Sequence, residues 1–448
     1  MQRTVDMTVG SPTKHILKFS LPLIAANMGQ QLYAIADASI VGRGVGVMAL
    51  AAVGATDWIY CMILWTVIGL TQGFSTFVSR YFGEKDFTKV NKVIAMGSLL
   101  TGASGILLTV ISLLAAGPLL ALMGTPTEIF GDATAYISIM AGGTAAIAAY
   151  NWAASVLRAF GDGKSPLIAM VIAAVLNIGL DLLFVFGFGW GIYGAAAASV
   201  TSQTVSFFFC LTRLKKIDCI RLTNEDWKPD WSMIRDLLKF ALPLALQFIT
   251  IALGGIFLQT VINEQGSVFI AGYTATNKMY GLMESSSIAL GLACSTFFAQ
   301  NYGACLYKRV RQGMRSACLI ATGMAVVMMA FLFLIRWNLL QLFLDTSKEN
   351  GHEALEIAVR YLSLMLIFLV VLYLIHVFRN ALQALEISLW SMISGFGELF
   401  CRLFMAFVAI YWIGSDALFL AEPLAWFGAL VFVMIPYFFY QKKLLPQA

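Results

Sequence analysis

Charge is what this sequence has least of. Only 12% of its 448 residues are Asp, Glu, Lys or Arg, about half the ~25% of a typical soluble domain. That excludes a soluble enzyme, a disordered chain and a nucleic-acid binder. Histidine is nearly absent, with three residues. The seven cysteines stand singly: Cys61, Cys210, Cys294, Cys318 and Cys401 in apolar runs, Cys219 and Cys305 near basic loops. With no Cys-x-x-Cys and no Cys/His cluster, a zinc centre, a redox pair and a disulfide scaffold are excluded. The cysteines read as small buried hydrophobes. The apolar stretches contain no HExxH, no paired-Asp metal motif and no Ser/His or Ser/Lys dyad, so no enzyme is expected. Short alternating segments are missing too, which excludes a transmembrane β-barrel. The polar N-terminus has no small-residue cleavage site, so no removable signal peptide is expected.

What the chain has is apolar length. Hydrophobic residues make up 60%, and the mean hydropathy is +0.82. A spanning helix needs ~20 apolar residues. The runs predict helices at 16–41, 48–79, 89–117, 130–158, 166–188, 191–213, 235–262, 268–299, 309–336, 354–380, 386–413 and 416–440. The expected fold is an all-α polytopic membrane protein, with twelve transmembrane helices in two pseudo-symmetric six-helix lobes around a central cleft. The lobes are 1–213 and 235–448, joined by a loop at 214–234. Of the 29 Lys and Arg, 23 fall on one set of loops, four (Arg43, Arg336, Lys348, Arg360) on the other, and Lys278 and Arg402 inside spans. The positive-inside rule then places both termini and the 214–234 loop in the cytoplasm.

The two lobes repeat. Ile16-Leu17-Lys18-Phe19-Ser20-Leu21-Pro22-Leu23 reads against Leu237-Leu238-Lys239-Phe240-Ala241-Leu242-Pro243-Leu244. Ser75-Thr76-Phe77 through Tyr81-Phe82-Gly83 reads against Ser295-Thr296-Phe297 through Asn301-Tyr302-Gly303. Six spans per lobe is even, so this is a parallel repeat about an axis along the membrane normal, a common transporter plan.

Ionisable residues inside spans are functional hypotheses by default. Asp37 sits about 9 Å below the outer end of helix 1 at 1.5 Å per residue, Asp181 lies at a similar depth in helix 5, and Ser199 in helix 6 shares the level. Tyr33 and Gln30 lie on the Asp37 face, and Asn177 is one turn from Asp181. If the faces converge, two carboxylates, an amide, a phenol and a hydroxyl form an oxygen-rich pocket. Two adjacent carboxylates in a low dielectric need a proton or a cation between them, and hard oxygens suit an alkali cation such as Na⁺. No other metal is expected. Pro22 removes a helix hydrogen bond and is a candidate hinge. Glu284 has no local partner, and Lys278, six residues away, is off its face. With Gln30 and Met283 these form a candidate substrate cleft. Glu398 and Arg402, spaced i,i+4, read as a structural ion pair. His376 reads as buried or interfacial, and Asp57 as solvated.

Four motifs carry a resemblance across essentially the whole chain: Arg158-Ala159-Phe160-Gly161-Asp162-Gly163-Lys164-Ser165-Pro166, Asn177-Ile178-Gly179-Leu180-Asp181, Gly194-Ala195-Ala196-Ala197-Ala198-Ser199 and Ile35-Ala36-Asp37-Ala38-Ser39-Ile40-Val41-Gly42-Arg43. Together they resemble the multidrug and toxic compound extrusion (MATE) family of prokaryotes, in particular its DNA-damage-inducible branch. The resemblance implies that Asp37, Asn177, Asp181 and Tyr33 form a cation-coupling site, that Pro22 is where helix 1 bends, and that Asn151 belongs to the pocket. Ser199 stands where the family often has Thr. Helices 7 and 10 have no counterpart of the carboxylates found in some branches; helix 7 offers Gln247 and Gln259, and helix 10 offers His376. The expected function is a secondary active multidrug exporter, an antiporter of organic, cationic or amphiphilic compounds coupled to H⁺ or Na⁺ by alternating access. It would work in the cytoplasmic membrane, without cofactor or nucleic acid, as a functional monomer. The alternative is a lipid-linked oligosaccharide or polysaccharide flippase, which calls for a basic central cavity.

Overall fold

Lipid offers the backbone no hydrogen-bond partner, so a spanning segment must satisfy its own N–H and C=O groups. Helix is the solution throughout the computed structural model, which describes residues 4–344 and 350–444. Arg3 and Lys348 of the charge count lie outside the described residues. The helices are α1 (Pro12–Gly44), α2 (Val47–Glu84), α3 (Phe87–Leu122), α4 (Thr127–Gly142), α5 (Thr144–Ala159), α6 (Lys164–Asp181), α7 (Gly191–Leu214), α8 (Trp231–Asn263), α9 (Ser267–Gly303), α10 (Tyr307–Gln341), α11 (Gly351–Ile367), α12 (Leu369–Ala384), α13 (Ser388–Phe404), α14 (Ile410–Ile413) and α15 (Asp416–Leu444). A π-helical turn, Leu182–Gly187, continues α6, and another, Met405–Ala409, joins α13 to α14. Among the described residues there is no strand.

Among the described residues nine helical rods are long and apolar enough to cross a membrane, and two bent pairs, α4 with α5 and α11 with α12, bring the number to 11. The twelfth rod is α1, made less apolar by Asn27, Gln30, Gln31, Tyr33 and Asp37. Each rod overlaps one of the twelve expected spans. The fourth and tenth spans, expected to be continuous, are instead bent by 45° and 48°. At the first bend a Cβ on Gly143 would lie 2.3 Å from Val200 Cγ2 of α7. The glycine lets α7 approach, and the helix turns there. The second bend falls at Phe368, at the corresponding place in the repeat. The two π turns also correspond, closing the fifth and eleventh spans.

The chain forms two compact units. One comprises Met1–Val9, Leu21–Phe248 and Ala299–Cys305; the other comprises Gly10–Ser20, Ile249–Phe298 and Leu306–Ala448. The expected lobes divide the chain elsewhere, at the 214–234 loop. The early part of α8 joins the first unit because Leu237, Phe240, Ala241, Leu244 and Ala245 pack in one apolar cluster with Phe74, Phe77, Trp152 and Phe160. Gly69 and Gly73 of α2 permit that approach; a Cβ on Gly69 would lie 2.8 Å from the Ala245 backbone. The loop is docked as well. Lys92 Nζ donates to the carbonyls of Glu225 and Lys228 at 3.1 and 2.8 Å, and Asn91 Oδ1 accepts from the Arg221 N–H at 3.1 Å.

Within the first unit the N-terminal segment is strapped down. The Val5 N–H donates to the Phe160 carbonyl at 2.9 Å. The Met7 N–H donates to Gln300 Oε1 at 3.0 Å, Asn301 Nδ2 donates to the Met7 carbonyl at 3.2 Å, and Gln300 Nε2 donates to the Ala159 carbonyl at 2.9 Å. Beside this strap the repeat makes a reciprocal contact. A Cβ on Gly83 would lie 1.9 Å from the Gln300 carbonyl oxygen, and one on Gly303 would lie 2.1 Å from that of Arg80. Residues 80 and 83 are the repeat equivalents of 300 and 303, so each glycine seats the other half's backbone. Gly83→Ala or Gly303→Ala should therefore cost about 1–3 kcal/mol or more by overpacking. Thermal unfolding in detergent checks this: each variant is expected to melt lower than wild type, whereas Gly102→Ala, with open space at its Cβ, is expected to be neutral.

Candidate functional site

The apolar packing of the first unit leaves a polar level between two clusters. One cluster contains Val41 of α1, Val185 after α6, and Ala195 and Ala196 of α7. The other contains Ala169 of α6 and Cys210 of α7. Between them along the rods come Tyr33 and Asp37, then Asn177 and Asp181, then Ser199 and Gln203. Helical spacing of four puts each pair on one face.

These residues meet. Asp37 and Asp181 are electrostatic neighbours, each in the field of the other. Asn177 Nδ2 is 3.3 Å from Ser199 Oγ. Gln203 lies beside the Tyr33 side chain, which is in the field of both acids. Tyr60 and Tyr136 are further electrostatic neighbours of Asp37. Asn177 and Asp181 are wholly buried, at 0% exposure. The result is a ring of oxygen-bearing groups drawn from the first, fifth and sixth spans.

What distinguishes the ring is a shortage of donors. Asp37 Oδ1, Asn177 Oδ1, both Asp181 carboxylate oxygens and Gln203 Oε1 are buried and accept no hydrogen bond. Buried polar atoms are nearly always paired, and each one left without a partner costs about 1–3 kcal/mol, more if charged. Five such acceptors in one ring lack the positive charge that a proton, or a cation coordinated by oxygen, would bring. Asp181 is the last residue of α6, and the π turn begins at Leu182. Such turns re-aim side chains and frequently occur at functional sites.

Gln203 and the two tyrosines are absent from the sequence reading. A signal for Gln203 existed, since it lies one turn beyond Ser199. Nothing in the sequence points to Tyr60 or Tyr136, which come from other spans. Gln30 is exposed. Asn151 spends its amide on its own helix, donating to the Ile147 carbonyl at 2.9 Å. Pro22 lies inside α1, beside the point, between Ser20 and Leu21, where the chain passes from one unit to the other.

The second unit holds a different set. Arg379 Nη2 donates to Glu398 Oε1 at 2.6 Å. Arg402 reaches Glu398 at 3.4 Å, but it is held more closely by Glu422, through Nε at 3.0 Å and Nη2 at 2.8 Å. The i,i+4 pair read from the sequence is thus the middle of a four-residue ladder. Tyr280 Oη donates to Glu284 Oε1 at 2.8 Å. Met283, a candidate for the cleft, is buried at 1% exposure and offers no surface to a ligand. Lys278 is exposed and His376 half-buried.

The profile of the MatE family matches residues 22–183 and again 243–408. The chain belongs to the MatE family. The two matched stretches begin at Pro22 and Pro243, the equivalent prolines of the repeat. Probable multidrug resistance protein YoeA of Bacillus subtilis (strain 168) is 26% identical over 433 residues, covering 93% of this chain and 92% of the relative. Probable multidrug resistance protein YpnP of the same organism is 30% identical over 315 residues, 69% of each. The fold matches the outward-facing conformation of a multidrug resistance MATE family transporter of the MOP superfamily, with a TM-score of 0.91 at 23% identity over 99% of this chain and 98% of that one. This MatE protein is therefore a multi-pass membrane transporter of the multidrug efflux family.

A donor supplied to the ring should relieve it. In Asp181→Asn one like charge is lost and an amide NH₂ comes within reach of Asp37. The expected outcome is a variant about 1–3 kcal/mol more stable at neutral pH. A higher melting temperature for Asp181→Asn than for wild type, together with lost transport, is the result to look for.

Proposed function

We propose that this transporter is a secondary active exporter. It moves organic, cationic or amphiphilic compounds out of the cell in exchange for H⁺, with Na⁺ an alternative occupant of the same oxygens. It works by alternating access as a functional monomer in the cytoplasmic membrane, with both termini in the cytoplasm and without a cofactor. The observation that carries this reading is the donor-poor ring around Asp37 and Asp181.

A proton arriving from outside between the two carboxylates supplies the missing donor and cancels one charge. A cation among the five oxygens does the same by coordination. Either changes which packing of α1 against α6 and α7 is favoured, because α1 carries Tyr33 and Asp37 while the other two carry Asn177, Asp181, Ser199 and Gln203. Pro22 leaves α1 short of one backbone hydrogen bond next to the point where the chain changes unit. It is therefore the natural place for that change to become a bend. The driving force suffices: about 1.4 kcal/mol per pH unit and about 2.3 kcal/mol per charge per 100 mV. The flippase alternative is less well supported, because Arg379 and Arg402 are spent on Glu398 and Glu422 and present no free positive charge to a pyrophosphate.

The test is dye transport in proteoliposomes under a pH gradient or a Na⁺ gradient imposed separately. Wild type is expected to transport under the coupling gradient, and Asp37→Asn to lose at least about tenfold, the equivalent of about 1.4 kcal/mol. Undiminished transport by Asp37→Asn would overturn the assignment.

A further inference from the structure

We infer that Glu284, with Tyr280, forms an organic-cation recognition site in the second unit. The inference rests on the exporter reading and adds to it the group that reads the substrate's charge.

Arg379 and Arg402 are matched by Glu398 and Glu422, all four 4–7% exposed and joined in one ladder. Glu284 stands outside that ladder. Its hydrogen bond comes from a neutral phenol, Tyr280, at 2.8 Å. Among the described residues it makes no ion pair. An intramembrane carboxylate without a cation is costly and calls for a function. Glu284 is also the member of the set that can be reached: it is half-buried, whereas the ladder is closed.

Position and surroundings narrow the ligand. Glu284 is 17 residues from the start of α9 (Ser267–Gly303) and 19 from its end, so it lies at mid-span, where transporter substrates bind. The ring of its partner Tyr280 stacks on Trp426, with centroids 5.7 Å apart and planes at 25°. One carboxylate and one phenol are too few oxygens for a small, strongly hydrated metal ion. A carboxylate beside the half-buried ring of Tyr280, which the buried Trp426 backs, suits a large, weakly hydrated cation, held by charge and by cation–π attraction. Its arrival gives Glu284 the positive partner that the ladder gives Glu398 and Glu422.

The experiment measures binding of tetraphenylphosphonium to the purified protein in detergent, with neutral triphenylphosphine oxide as comparator. For Glu284→Gln the tetraphenylphosphonium affinity is expected to fall about tenfold or more, while the neutral probe changes by less than about twofold. Glu284→Asp, which keeps the charge, is expected to recover most of the affinity. Unchanged tetraphenylphosphonium binding in Glu284→Gln would overturn the site, as would an equal loss for both probes. The two readings fail separately. Glu284-dependent binding without gradient-driven transport would sink the exporter reading and leave the site. Gradient-driven transport with Glu284-independent binding would do the reverse.

Discussion

Two carboxylates brought together in an apolar slab must be neutralised from somewhere, and the surrounding protein of the first unit does not do it. Asp37 and Asp181 approach each other between two packed hydrophobic clusters, and the amides beside them present oxygens that accept nothing. A protein selected for stability alone would place an arginine there, as the second unit does with Arg379 and Arg402. Leaving the pair without a resident partner keeps the position open to an exchangeable one. On the proposed exporter reading the cost, several buried acceptors at about 1–3 kcal/mol each, is offset when a proton or cation arrives, and that difference is the energy available to favour one conformation over another.

The internal repeat places this chemistry. Both halves carry a proline early in the first helix, a bend in the fourth and a π turn closing the fifth. Backbone irregularities of this kind belong to the fold and survived duplication. The side chains beside the π turns diverged. In the first half the turn follows Asp181. In the second it closely follows Arg402, which clasps Glu422. One architecture therefore presents an unmatched acidic pair in one half and a closed ion ladder, with Glu284 outside it, in the other.

The spans were legible because lipid imposes one rule, a long apolar run, and that rule acts on contiguous sequence. The partnership of Asn177 with Asp181, and of Tyr33 with Asp37, was legible for the same reason: spacing of four along a helix is local. Contacts between helices were not. Glu422 lies 20 residues from Arg402, and no periodicity connects them. Gln203 required knowing that the sixth span faces the first. The bend at Gly143 depends on Val200, 57 residues away. Met283 read as a flexible cleft residue, yet it is buried, because apolarity does not distinguish a side chain that faces a cleft from one that faces the core.

The most direct test of the central claim counts protons. An organic cation is added to the purified protein in weakly buffered, Na⁺-free solution, and release is followed with a pH indicator. If the Asp37–Asp181 ring holds the coupling ion, binding should expel about one proton per cation from wild type, by reciprocal linkage, and none from Asp37→Asn. Equal release from wild type and variant would contradict the claim, because the protons would then come from elsewhere in the protein.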